Sequence, residues 1–130
     1  MTEVIDVKKV DDKTCFVTTD GSRNDIDPFL RKNDYLKEIV YQDLDRQVEP
    51  LQIIGGCSCL EYDRLFVLRN SKALEVGDRI VYNNVGAYTM TLSPLFIRLF
   101  PKVYALKPDG SLILIRNNWE AKNLIQKDLI

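Results

Sequence analysis

The chain has 130 residues, 45% of them hydrophobic and 28% charged, with a formal net charge of −1. That is enough chain to bury a core as one domain, and so balanced a charge gives no footprint for nucleic acid and no attraction to an anionic membrane. Three cysteines and no histidine argue against a disulfide framework or a four-ligand zinc site, and they remove Ser-His-Asp and Cys-His catalysis from within the chain.

No apolar run reaches the length of a spanning helix, and the opening Met1–Asp6 lacks the basic-then-apolar plan of a signal peptide, so a cytoplasmic location is expected. Val4–Lys8 and Cys15–Thr19 are β-branched runs separated by Asp11-Asp12-Lys13, which predicts an antiparallel hairpin. The polar Ser22–Pro28 follows, where proline and the Asx residues favour turns and a loop near a pocket. Tyr35–Tyr41 ends in Ile-Val-Tyr and reads as a strand, and Gln42–Pro50 as a solvated connection.

Leu51–Ile54, Leu65–Leu68 and Arg79–Tyr82 are three further strands. Ser93 and Pro94 have the residue types of a cap and a first helical position, predicting a short helix that Pro101 ends. Lys102–Leu106 and Leu112–Arg116 flank Pro108-Asp109-Gly110 as a second hairpin. From about Trp119, the positions of Ala121, Leu124, Ile125 and Leu129 predict a C-terminal helix. Together these elements predict an all-β fold: a single antiparallel barrel or sandwich, Greek-key-like, spanning residues 1–130, with one short helix and a C-terminal helix.

Two clusters interrupt the strands with reactive and polar side chains. Gly55-Gly56-Cys57-Ser58-Cys59-Leu60-Glu61-Tyr62-Asp63 follows one strand, and Asn83-Asn84-Val85-Gly86-Ala87-Tyr88-Thr89 follows another. Glycines beside a thiol, two carboxylates and a phenol suit a pocket edge, where backbone must turn tightly or approach a ligand. Read residue by residue, Cys59 is either a packed inert thiol or a reactive one, with no Lys or His beside it to favour the thiolate. Asp63 is either a turn former or a pocket residue, Tyr88 a core aromatic or a donor, and Phe96 a core residue or a pocket wall. Cys57 is assigned to packing.

The run Gly56-x-x-Cys59-x-x-x-Asp63, then Val76-Gly77-Asp78, then Asn84-x-Gly86-Ala87-Tyr88-Thr89 and Phe96, resembles the C-terminal β domain of the ornithine/diaminopimelate/arginine decarboxylases, which use pyridoxal 5′-phosphate (PLP). The resemblance implies that Cys59 reaches across a homodimer interface into the partner's active site and handles a proton after decarboxylation. It implies that Tyr88 donates toward the cofactor phosphate, and that Asp63 and Phe96 line the pocket of an amino-acid substrate. It also implies that the Schiff-base lysine and phosphate cup lie in a separate PLP-binding (β/α)8 barrel, so this chain alone is expected to be inactive.

Three positions, in two places, depart from the family pattern. Leu60 stands where related enzymes carry an acidic residue that meets a distal amine, and Glu61 is one place off. Asp27 and Arg31 occupy the arginine and tyrosine places of an Arg-Pro-x-Leu-Tyr segment whose arginine reads a substrate carboxylate. Substrate choice is therefore open. The alternatives are an alanine-racemase type of β domain, and a β module that binds a protein partner without chemistry.

Overall fold

The computed structural model describes residues 1–32 and 34–125. The chain forms two compact units, Met1–Pro94 and Leu95–Ile130. The first holds strands β1 (Thr2–Lys9), β2 (Thr14–Thr19), β3 (Lys37–Val40), β4 (Val48–Gly55), β5 (Arg64–Lys72) and β6 (Arg79–Tyr82), with a short helix α1 (Arg23–Ile26) after β2. All six strands join one sheet in the order β3-β6-β1-β2-β4-β5. The fold is all-β, as expected of a barrel or sandwich domain.

The predicted β1–β2 hairpin is present, with Val7 opposite Val17 and a bulge between Val4 and Asp6. One pairing departs from the antiparallel expectation: β2 and β4 run parallel, Val17 beside Ile54. A parallel neighbour needs a crossover of a dozen residues or more, and residues 20–47 supply it. Period-2 alternation then decides what is buried. In β2 Cys15, Val17 and Thr19 point inward while Phe16 is exposed, and Ile80 and Tyr82 do the same in β6. Val17, Ile80 and Tyr82 form one core with Val4, Ile54, Leu65, Phe66, Leu74, Ile26 and Tyr35, each large apolar side chain contributing about 1.5–3 kcal/mol. Tyr82 is the aromatic hub, meeting Tyr35 and Phe66 edge to face at 5.9 and 6.1 Å.

The short helix sits elsewhere than the sequence suggested. Ser22 caps α1, accepting from Asn24 N, while Asp25 reaches back to Ser22 N at 2.9 Å. This capping box satisfies amides that would otherwise be orphaned. At residues 93–100 there are only bends. The Ser93 hydroxyl donates to the carbonyls of Asn24 and Thr89 instead of accepting from the amides ahead, and Ile97 takes a left-handed φ of 67°, which no continuing helix accommodates.

The connection read as solvated holds the best-buried ion pair among the described residues. Asp78 is wholly buried, accepting from Arg46 through Nη1 at 2.5 Å and Nη2 at 3.0 Å, and from the amides of Gln42 and Glu75 at 2.9 Å each. Arg46 also donates to the Ala73 carbonyl at 3.2 Å. The pair fastens the β3–β4 connection to the β5–β6 turn. Gly77 precedes it at φ 94°, its α-carbon so close to Gln42 that a Cβ would lie 2.4 Å from Nε2. Beside the pair, Gln52 donates to Ser71 Oγ and the Lys72 carbonyl and accepts from Leu74 N, so this buried amide has its partners.

The second unit contains the predicted hairpin, β7 (Val103–Leu106) and β8 (Leu112–Arg116), with Tyr104 opposite Leu114. Phe100 meets Trp119 edge to face at 4.9 Å, and the Arg116 guanidinium lies 4.7 Å from the Phe100 ring centroid. Of the predicted C-terminal helix, the described part is a 3-10 turn, Ala121–Asn123, and residues 126–130 lie outside the described residues. Among the described residues no helix is long and apolar enough to cross a membrane.

Burial alone would raise the Asp78 pKa, but the Arg46 guanidinium and two amides overcome it and hold the carboxyl below its ordinary value. A depressed folded pKa adds stability that is present above the unfolded value near about pH 4 and is lost as pH falls through the folded one. Asp78→Asn is therefore expected to lower stability by about 3–5 kcal/mol at pH 7, leaving buried Arg46 with only the exposed Glu75 carboxylate, 3.6 Å from its Nε, as counter-charge. Urea unfolding of both proteins from pH 7 down to pH 3 checks this: the gap should be widest at neutral pH and narrow below about pH 4.

Candidate functional site

The segment between β4 and β5 is a tight loop closed on itself and stapled to α1. Gly56 N donates to the Asp63 carbonyl at 2.9 Å, and Asp63 N to the Leu60 carbonyl at 3.0 Å. The Asp63 carboxylate, nearly buried, accepts from Arg23 N at 2.7 Å, Ser22 Oγ at 3.3 Å and Ser58 N at 3.0 Å, and from the Ser58 hydroxyl. One side chain thus binds both ends of its own loop and the start of α1. Gly56 makes room for it, since a Cβ there would stand 2.4 Å from either carboxylate oxygen.

This frame separates the two cysteines. Cys57 is half-buried, its amide donating to the Gly21 carbonyl at 2.8 Å and its thiol to the Asp20 carbonyl at 3.4 Å, a packing role. Cys59 is exposed on the same loop. Leu60–Asp63 is a turn and not a strand, so alternation does not govern Glu61. Glu61 and Tyr62 line a cavity of about 300 Å³ with Arg23, Arg64, Leu65 and Phe66, and Cys59 lies outside that lining.

A second cavity, of about 170 Å³, lies between the segment after α1 and the loop after β6, lined by Asp27, Phe29, Arg31, Asn84 and Tyr88 among others. Its floor is set by Asp27, whose Oδ2 accepts from Lys32 N at 2.8 Å, Tyr35 OH at 3.2 Å and Arg23 Nη2 at 3.5 Å. Burial would raise the Asp27 pKa, but these donors outweigh it and hold the carboxyl low; burial likewise pushes Tyr35 up to about 12. Asp27 is thus an internal anchor, its Oδ2 engaged by three donors of the fold.

Tyr88 stands at the lip, 61% exposed, its ring meeting Phe29 edge to face at 5.3 Å. Its φ of 66° is rare for a bulky residue, and Leu30 and Asn84 on the facing loops are also left-handed, at 54° and 56°. Such conformations cost about 1–3 kcal/mol each and concentrate where a site needs them. Phe96 belongs to the second unit, where it lies exposed in a bend. The first unit thus brings Tyr88 together with Asp27 and Arg31, and Asp63 together with the loop that carries Cys59.

Sequence reasoning missed the roles of Ser22, Arg23, Phe29 and Arg46. Ser22-x-x-Asp25 is a capping-box signature and marks the helix start. Nothing local marks Arg46, whose partner is distant in the chain.

A loop-borne thiol, an outward phenol and an all-β frame define a domain that offers side chains at its surface. Residues 1–86 match the family described as pyridoxal-dependent decarboxylase, C-terminal sheet domain, and the chain belongs to that family. Cys59 and Asp63 lie inside the matched stretch, and Tyr88 and Phe96 follow it. Among solved structures, diaminopimelate decarboxylase from M. jannaschii in complex with L-lysine is 25% identical over 99% of this chain, with a TM-score of 0.70. The enzyme of the same name from Helicobacter pylori is 24% identical over 95% of the chain with a TM-score of 0.72, and carboxynorspermidine decarboxylase from Campylobacter jejuni, complexed with norspermidine, 21% over 94% with 0.69. This chain spans 29%, 29% and 36% of those three chains. A comparison with curated protein sequences gave no match.

Gly56→Ala should force the Asp63 carboxylate away from Arg23 N and Ser58 N, at a cost of about 1–3 kcal/mol of overpacking. Thermal unfolding, together with faster alkylation of Cys57 by iodoacetamide as its loop loosens, measures that effect; an unchanged unfolding temperature would show that Asp63 yields without loss.

Proposed function

We propose that residues 1–130 act as one β domain completing the active site of a PLP-dependent amino-acid decarboxylase, together with a PLP-binding barrel and within a cytoplasmic homodimer. The observation that supports this most directly is the exposure of Cys59 on a loop whose backbone is fixed by Asp63. A fixed thiol that lines neither cavity described above is suited to a site completed by another surface.

PLP, when bound, supplies the electron sink that lets a substrate carboxylate leave as carbon dioxide. Tyr88 fits its phosphate: the phenol is exposed and makes no hydrogen bond among the described residues, so it is free to donate to an anion from outside the chain. In this reading Cys59 delivers a proton to the reacting carbon once carbon dioxide has left. Asp63 is a positioning residue that holds the Cys59 loop against α1, and Phe96 forms part of the pocket wall.

The test uses this chain joined to its cognate barrel, with PLP. Cys59→Ala should leave the unfolding midpoint unchanged, because an exposed sulfur leaves no cavity, while carbon dioxide release falls by about 10²–10⁴-fold. Mixed with subunits lacking the barrel lysine, it should recover activity through composite sites; verified subunit exchange without recovery would remove Cys59 from the shared site. A wild-type assembly that releases no carbon dioxide from amino acids would sink the decarboxylase reading.

A further inference from the structure

The loop between β4 and β5 carries two thiols on either side of one fixed residue. Ser58 is pinned to Asp63 through its amide at 3.0 Å and through its hydroxyl, and the chain bends at Cys57 and Ser58. Residues two apart span at most about 6.6–7.2 Å when fully extended, and a bend shortens that into the roughly 4.4–6.8 Å that a disulfide requires between α-carbons. Neither thiol is tightly engaged. Cys57 is half-buried and its Sγ donates to the Asp20 carbonyl at 3.4 Å, a bond that a thiol makes only weakly. Cys59 is exposed and makes no hydrogen bond among the described residues. Asp63 therefore fixes the pivot and leaves the Cys59 side of it free to turn. The remaining cysteine, Cys15, is buried on β2.

We propose that Cys57 and Cys59 form a reversible dithiol–disulfide pair, a modification site that withdraws the Cys59 thiol when the surroundings become oxidising. A ring closed across one intervening residue on an exposed loop is strained, and strained or exposed disulfides are the readily reduced ones, so the bridge is a labile bond and no part of a framework. The co-reactant is a low-molecular-weight disulfide such as oxidised glutathione. The Cys59 sulfur, as thiolate, attacks one sulfur of the reagent: a Cys59–glutathione bond forms, the reagent's S–S bond breaks, and one glutathione leaves. The Cys57 sulfur then attacks the Cys59 sulfur, the loop's S–S bond forms, and the second glutathione leaves. Two protein thiols are oxidised, one small disulfide is reduced to two thiols, and the two cysteine protons end on the glutathiones. Exposure sets the order, with Cys59 meeting the reagent and Cys57, behind it, resolving the adduct. Only the consequence for turnover rests on the decarboxylase reading, in which Cys59 supplies a proton.

The test reads covalent state without turnover. The 130-residue chain is equilibrated with oxidised glutathione, quenched with acid and mapped by mass spectrometry. Wild type should lose two hydrogens, with Cys57 and Cys59 joined in one peptide and Cys15 still reduced, and dithiothreitol should reverse the change. Cys57→Ser should stop at the Cys59–glutathione adduct, in excess over wild type by about tenfold or more, and Cys59→Ser should stay reduced. The bridge is read directly in wild type, so the result does not depend on either variant folding. In the joined enzyme the same treatment should stop carbon dioxide release until dithiothreitol is added. A glutathione adduct that persists in wild type at the level of Cys57→Ser, pairs of chains linked through Cys59, or a Cys59 that stays reduced would each overturn the proposal. The bridge needs neither barrel nor cofactor, so its failure leaves the decarboxylase reading standing, and a joined enzyme that releases no carbon dioxide leaves the bridge standing.

Discussion

The carboxylate of Asp63 is the point from which the functional half of the chain is arranged. It accepts from the backbone of Ser58 on its own loop and of Arg23 at the start of α1, so the placement of Cys59 and of the helix are set together. Arg23 carries the constraint onward, its side chain binding Asp27 and the Lys32 carbonyl, and Asp27 binding Tyr35. Tyr35 packs on Tyr82 in the core. A charge-assisted hydrogen bond is roughly twice as strong as a neutral one, and in a buried setting each member of such a row costs more to lose than to keep. Two acidic side chains that look like ligand-binding groups in the sequence are, in the fold, fasteners.

That redistribution changes what the pocket residues can do. With Asp27 and Asp63 engaged within the fold, the side chains left outward around the two cavities include Cys59, Glu61, Tyr88 and Arg31, a thiol, a carboxylate, a phenol and a guanidinium. The guanidinium can only donate a hydrogen bond, the carboxylate only accepts, and the phenol and thiol can do either. These outward side chains make few of the contacts that hold the fold, so a substitution at Arg31 leaves the Asp63 staple untouched.

Much of this was legible in the sequence. The strands announced themselves by β-branched runs, because the sheet buries one side of each and period 2 marks that side; β1, β2, β5, β6 and the β7–β8 hairpin fall where Val, Ile and Phe cluster. The loop motif around Cys59 and Asp63 was recognisable because glycine and carboxylate are required at Gly56 and Asp63 by their contact. What could not be read was partner choice across long separations. Nothing near Arg46 names Asp78, and nothing in Ser93-Pro94 reveals that the hydroxyl binds carbonyls behind it. The parallel orientation of β4 is likewise a property of the whole connection and not of Leu51–Ile54.

That parallel pair has a bearing on how the chain finds its fold. The β1–β2 and β4–β5 pairs are antiparallel neighbours in sequence and join strands across short loops, so each can zip from its turn. The β2–β4 ladder, from Thr14 beside Leu51 to Thr18 beside Gly55, cannot begin until residues 20–47 have closed, and the entropy of that closure is spent before any hydrogen bond repays it. The ladder is the seam along which two local hairpins merge. Gly55 is also where the Cys59 loop starts, and the Thr19 hydroxyl bonds its carbonyl at 3.1 Å. The loop that carries the outward thiol thus starts at the last rung of that non-local seam, Thr18 beside Gly55.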